Sequence, residues 1–181
     1  MNLQLIFVVE ANSKCKSDWI YIKETIEQFY QYSQTEVKLS PVYMDGKGKY
    51  VKKEKEISKL ISQYSATSKN NRSQVLYCFD CDDYDNKPDD LKFLNEAKEY
   101  CSAHGADFVW FCKDIERVYL GKKVQGSAKK AESAAFKSKN LIKRVDIGDL
   151  SASRYKTNTS NIMCILDKYL KRKELGPEFR R

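Results

Sequence analysis

The sequence predicts an α/β protein built on a mostly parallel sheet of about four strands with helices on both faces. Three observations predict it. Short apolar runs alternate with segments whose apolar residues recur three and four positions apart. The run Leu3-Gln4-Leu5-Ile6-Phe7-Val8-Val9 is almost continuously apolar, as a strand covered on both faces must be. Strand and helix succeed one another along most of the 181 residues, an order that favours parallel pairing through crossover helices.

Taken in order, Leu3 to Val9 is the first strand. Trp19, Ile22, Ile26 and Phe29 share one helical face, and Ser17-Asp18 stands where helix-capping residues belong. Glu36 to Tyr43 reads as a second strand, and Pro41 assigns it to an edge or a bulge because proline gives the ladder no N–H. Asp45-Gly46-Lys47-Gly48 is a turn, and Ile57, Leu60, Ile61 and Tyr64 mark the next helix. Val75 to Phe79 is a third strand, followed by an acidic loop from Asp80 to Pro88. Leu91, Leu94, Ala97 and Cys101 define a third helix, and Ala106 to Cys112 a fourth strand. A short helix at Ile115 to Leu120, a basic stretch, and a closing helix through Ile162, Ile165, Leu166 and Tyr169 complete the pattern. The expected organisation is a single domain over residues 1–174, with its core at about 3–120 and a basic helical extension at about 122–173. Residues 175–181 read as a tail without core residues.

Composition narrows the class. Hydrophobic residues make up 41% of the chain, enough for a core and too many for wholesale disorder. No apolar run reaches the roughly 20 residues of a membrane span. The opening residues lack a basic segment and a cleavage site, so the chain reads as a cytoplasmic protein with no membrane partner. In that setting its six cysteines are expected as free thiols. Cys78-x-x-Cys81 and Cys101-x-x-His104 imitate a zinc pattern. A helix of some 15 residues would separate the two pairs by roughly 20 Å, which one ion cannot span.

Carboxylates gather where function gathers in open parallel sheets, beyond the carboxyl ends of the strands. Glu10 ends the first strand, and Asp80, Asp82, Asp83 and Asp85 follow the third. Asp114 and Glu116 follow the fourth. Residues two apart on a strand share a face, so Asp80 and Asp82 are expected side by side. Crowded carboxylates repel, and a hard divalent cation such as Mg²⁺ or Mn²⁺ relieves the repulsion. The candidate ligands are therefore Glu10, Asp80, Asp82, Asp83, Asp85 and Glu116. The plain alternative is a solvated acidic loop.

A strand ending in Glu followed by a later strand ending in Asp-x-Asp resembles the Toprim domain of topoisomerases, primases and nucleases. The resemblance covers about Leu3 to Leu120. More narrowly, the chain is similar to the RloB-like and OLD-associated small Toprim proteins of bacterial defence. There a Ser/Thr-acidic pair, matched by Ser17-Asp18, opens the first helix, and Ile115-Glu116 matches a Phe/Ile-Glu after the fourth strand. Ala11 departs from the glycine that often follows the glutamate. The resemblance implies a Rossmann-like Toprim fold and Mg²⁺-dependent hydrolysis of phosphodiesters in DNA or RNA, with Glu10, Asp80 and Asp82 as catalytic residues. It also implies a role in antiviral defence and a separate ATPase subunit, since no Gly-x-x-x-x-Gly-Lys-Ser/Thr loop occurs here.

Charge is segregated along the chain. Residues 80–90 hold six Asp and one Lys, net −5. Residues 122–144 hold eight Lys and Arg against Glu132, net +7, within a chain of net charge +8. Such a run suits phosphate contacts, so Lys122, Lys123, Lys129, Lys130, Lys137 and Lys139 are the expected nucleic-acid-binding residues. Two other classes stay open at this point. One is a non-catalytic Toprim-fold binding or sensing module partnered with an ATPase. The other is a small-molecule phosphotransfer or nucleotide-binding enzyme, disfavoured by a loop that is acidic instead of Gly-rich.

Overall fold

The structure is a computed structural model and describes residues 2–174. The tail expected at 175–181 lies outside the described residues. Its elements run β1 (Leu3–Val9), α1 (Ser17–Phe29), β2 (Tyr30–Gln31), β3 (Val37–Tyr43), α2 (Glu54–Ser65), β4 (Arg72–Asp80), α3 (Pro88–Ala103), β5 (Asp107–Cys112), α4 (Ile115–Leu120), α5 (Lys129–Ser138), α6 (Ile147–Leu150), β6 (Thr159–Ser160), α7 (Ile162–Leu166) and β7 (Lys171–Arg172). The 3-10 turns lie at Lys47–Lys53, Gly126–Ala128 and Leu141–Arg144.

Five strands form one sheet in the order β3-β1-β4-β5-β6, parallel except for β6. β1 pairs on both sides, which explains its unbroken apolar run. Its residues split with period two: Leu5, Phe7 and Val9 enter one core, Ile6 and Val8 the other. The first core is closed by Tyr21, Ile22, Ile26 and Phe29 of α1, with Phe136 of α5 and Met163 of α7. The second is closed by Ile57 of α2 and by Leu94, Ala97 and Cys101 of α3. Helices therefore cover both faces. Fully burying a side chain such as Phe7 contributes about 1.5–3 kcal/mol, and truncating it to alanine costs about 3–5 kcal/mol. Gln4 is the buried polar exception on β1. It donates to Ser40 Oγ at 3.0 Å and accepts from Ser73 Oγ at 2.9 Å, bridging three strands and leaving no orphaned amide.

β3 is the edge strand that Pro41 announced. The C-terminal extension after 122 packs into the same cores as the sheet. Phe136, Ile142, Leu150 and Ile162 belong to the first core, β6 adds a fifth strand antiparallel to β5, and β7 pairs with β2 in a small ribbon. Apolar positions buried against α1 draw the segment onto the sheet. Among the described residues, no helix is long and apolar enough to cross a membrane.

Candidate functional site

Parallel strands bring their carboxyl ends to one edge, and the polar centre lies there. Glu10 follows β1 and Asp80 closes β4. Glu10 Oε1 accepts the Asp80 backbone N–H at 2.8 Å. Asp80 Oδ1 in turn accepts the backbone N–H of Ile115, the first residue of α4, at 2.9 Å. Asp18, read from sequence as a helix cap, does not cap α1: Lys16 occupies that position in a left-handed conformation, without a side-chain cap bond. Its carboxylate instead reaches back to the Ala11 N–H at 2.8 Å and accepts the Ser17 hydroxyl at 3.0 Å. That bond pins the loop directly after Glu10. Glu10, Asp18 and Asp80 line a cavity of about 290 Å³, together with Lys129.

Lys129 starts α5, and its ammonium lies 3.0 Å from Glu116 Oε2. Glu116 is fully buried, and neither of its carboxylate oxygens has a hydrogen-bond partner. The ion pair is thus its compensation for leaving water, in a contact without hydrogen-bond geometry.

Crowding and burial set the proton affinities. Burial pushes the Glu10 carboxyl up to about 8, and the charges of Asp18 and Asp82 add to that, while the Asp80 N–H and Lys47 oppose it. Burial also raises Asp80 well above the carboxylate range, reinforced by Glu10 and Asp18 and opposed by Lys129. Glu116 is raised by burial against the pull of Lys129. For Lys129, burial works against the charge, yet Glu116, Asp80 and Asp18 outweigh it and its pKa rises. The carboxyl groups of the cluster therefore hold protons more strongly than free carboxylates do, the behaviour expected of converging buried carboxylates.

Asp82 does not share the side of Asp80. Its backbone is left-handed, at φ 48°, which ends the strand alternation on which that expectation rested. Its carboxylate bonds Lys47 and lines a second cavity, of about 460 Å³, with Asp83, Asp90, Asp114, Lys87, Lys113, Arg117 and Lys123. Asp83 and Asp85 both pair with Lys113, at 2.7 and 3.0 Å. Of the six candidate ligands, Glu10 and Asp80 meet, Glu116 lies behind them on Lys129, and Asp82, Asp83 and Asp85 are held by lysines.

The basic run is likewise divided. Lys129 faces the carboxylates, Lys122 pairs with Glu132 at 2.8 Å, and Lys137 pairs with Glu24 at 3.5 Å. Lys123, Lys130 and Lys139 are exposed. Cys78, Cys81 and Cys101 are buried, and Cys81 meets Cys112 across the strand ends at 2.6 Å between sulfurs. His104 caps the end of α3 and stacks on Tyr100, with ring centroids 4.0 Å apart.

The oxygens that converge here, from Glu10, Asp18 and Asp80, are of the hard type that Mg²⁺ or Mn²⁺ takes, while the Glu116 carboxylate is already paired with Lys129. Among the described residues, no three Asp, Glu, His or Cys side chains are arranged to hold a metal ion as they stand. Asp82, expected beside Asp80, is bonded by Lys47. Sequence reasoning did not include Asp18, Lys129 and Lys47 in the centre. Only Asp18 carried a signal, its place in the acidic pair after the first loop.

No family model, no curated protein and no solved structure matches this chain.

Proposed function

We propose that the chain is a metal-dependent nuclease of Toprim type that hydrolyses phosphodiester bonds of DNA or RNA. The observation that carries this reading is the Glu10–Asp80 pair at the carboxyl edge of a parallel sheet, joined through the Asp80 backbone amide and lining one cavity with Asp18 and Lys129. Glu10 and Asp80 would hold the ion. A bound Mg²⁺ or Mn²⁺ would neutralise charge on the phosphoryl group and supply a nucleophilic water. The protein's own groups do the rest. Without an ion, burial holds the Glu10 carboxyl near 8, so as a ligand it would release a proton on metal binding. Lys129 puts a positive charge on the wall of the same cavity while paired with Glu116. The Ile115 N–H fixes the orientation of Asp80, and Asp18 fixes the turn at Ala11.

Exposed Lys123, Lys130 and Lys139 support a nucleic-acid partner, with phosphates as the recognised group. The resemblance to RloB-like and OLD-associated proteins supports a role in antiviral defence beside a separate ATPase. A second reading, a non-catalytic Toprim-fold binding module, is favoured by the capture of Asp82 by Lys47. Incubating the protein with labelled single- and double-stranded DNA and RNA separates them. Cleavage with Mg²⁺ or Mn²⁺ that stops with EDTA supports the nuclease, and retention of intact strands supports the module.

A further inference from the structure

A further cavity, of about 710 Å³, shares no lining residue with the two acidic cavities described above. Small-molecule sites span about 300–1,000 Å³. This one opens along the outer edge of β5, between α3 and α7. The edge is available because β6 is short and pairs only with Phe111 and Cys112. Before that pairing, the Asn161 side chain stands in for a strand. Its Oδ1 accepts the Trp110 N–H at 2.9 Å, and its Nδ2 donates to the Phe108 carbonyl at 2.9 Å. An added peptide strand would need those same backbone groups, so the cleft disfavours strand addition and leaves recognition to side chains.

Two kinds of side chain line it. Phe108, Trp110 and Tyr155 supply aromatic surface, with Tyr155 edge-on to Trp110 at 5.0 Å between ring centroids. Lys98 of α3 and Arg154, between α6 and β6, supply positive charge. Both are exposed, and neither has an ion-pair partner among the described residues. Asp107 is the one carboxylate of the lining, and its oxygens are already used. Oδ1 accepts from Lys168 at 2.6 Å, and Oδ2 accepts from Gln74 Nε2 at 3.0 Å and from the Tyr169 hydroxyl. The cleft therefore offers aromatic walls and two uncommitted cations against no uncommitted carboxylate. A nucleotide matches both features. Every base has a π-face that packs on aromatic rings, and phosphate oxygens pair with Lys and with the Arg fork.

We infer that this cleft is a nucleotide-binding site, with the base against Trp110 and Tyr155 and the phosphate on Arg154 and Lys98. The recognised chemistry is the same for a free nucleotide and for one unit of a single strand. The site needs no metal and does not rest on the nuclease reading.

Trp110 can report on its own occupancy. The chain has two tryptophans, and Trp19→Phe removes the other while keeping an aromatic ring on Phe7. That protein, its fold checked by a circular-dichroism melt, is titrated in EDTA with the four ribonucleoside monophosphates and with ten-nucleotide single-stranded DNA and RNA. Saturable quenching of Trp110 is expected. Saturation by a monophosphate at concentrations no higher than the strands require assigns the site to a free nucleotide. Saturation by the strands at far lower concentration assigns it to a strand. Arg154→Gln and Lys98→Gln should each weaken binding about tenfold, the scale of one charge-assisted contact. Tyr155→Leu should weaken it fivefold or more, and Tyr155→Phe, which keeps the ring, should bind as the parent does. No saturable quenching by any of these probes would overturn the inference and leave the nuclease reading standing. Affinity unchanged in the Lys98→Gln/Arg154→Gln double variant would overturn it too. So would equal quenching by tetraglutamate, which would make the cleft a site for anions at large.

Discussion

The Glu10 carboxylate accepts the backbone N–H of Asp80 at 2.8 Å, so the side chain that ends β1 is bound to the main chain that ends β4. The bond holds two carboxylates together and forces their charges into one cavity. Asp80→Asn removes one of those charges and keeps an oxygen for the Ile115 N–H. The metal-free variant should therefore be more stable than the parent at pH 8, by on the order of 1 kcal/mol, the scale of one pKa unit. That corresponds to a rise of about 2–4 °C in Tm for a chain of this size. Thermal scans in EDTA measure it, and a drop in Tm would mean that the Asp80 charge is compensated.

The pH dependence follows with a definite sign. Glu10 titrates near 8 in the folded protein against an ordinary 4.5, so the folded state binds the extra proton between those values. The stability this group contributes is full below pH 4.5 and is lost as pH rises through 8. Metal-free protein should lose stability across that window, and Glu10→Gln should flatten the slope. Urea denaturation at half-unit pH steps reads both.

Lys129 is the compensation for Glu116, and removing it leaves a buried charge. Lys129→Met should cost about 3 kcal/mol at pH 8, the low end for a broken buried pair because Lys129 is itself 31% exposed. The loss should shrink as pH falls, because burial raises the Glu116 carboxyl and a protonated Glu116 leaves no unpaired charge. Adding Glu116→Gln should restore part of it, and a double-mutant cycle in urea measures the coupling. Simple additivity would mean that the pair does not interact.

On the nuclease reading proposed above, the exposed lysines carry the phosphate-backbone contacts. Replacing Lys123, Lys130 and Lys139 by Gln should weaken nucleic-acid binding. The slope of log affinity against log salt should fall by roughly one unit for each phosphate that is no longer neutralised. An unchanged slope would assign these lysines to solubility.

The sheet was legible because β1 advertises burial on both faces, and Pro41 marks β3 as an edge. β6 was not, since Thr159-Ser160 is too short for an alternation to register. Glu10 and Asp80 were legible as ends of apolar strands. Asp82 was misplaced because the period of two holds only while the chain stays extended, and at φ 48° it does not. Asp18 read as a cap, since Ser-Asp before an apolar helix signals one, whereas a left-handed Lys16 left its carboxylate free for Ala11. Lys129 was read only as part of the basic run, and Lys47 not at all, because charge spacing does not say which ammonium turns inward.

Hydrolysis at the Glu10–Asp80 cavity is tested most directly by one comparison. Parent and Asp80→Asn protein are incubated with end-labelled single- and double-stranded DNA and RNA in Mn²⁺, and products are resolved on denaturing gels. The predicted result is cleavage by the parent, none in EDTA, and none by an Asp80→Asn protein whose melt shows it folded. Cleavage by Asp80→Asn at the parental rate would contradict it.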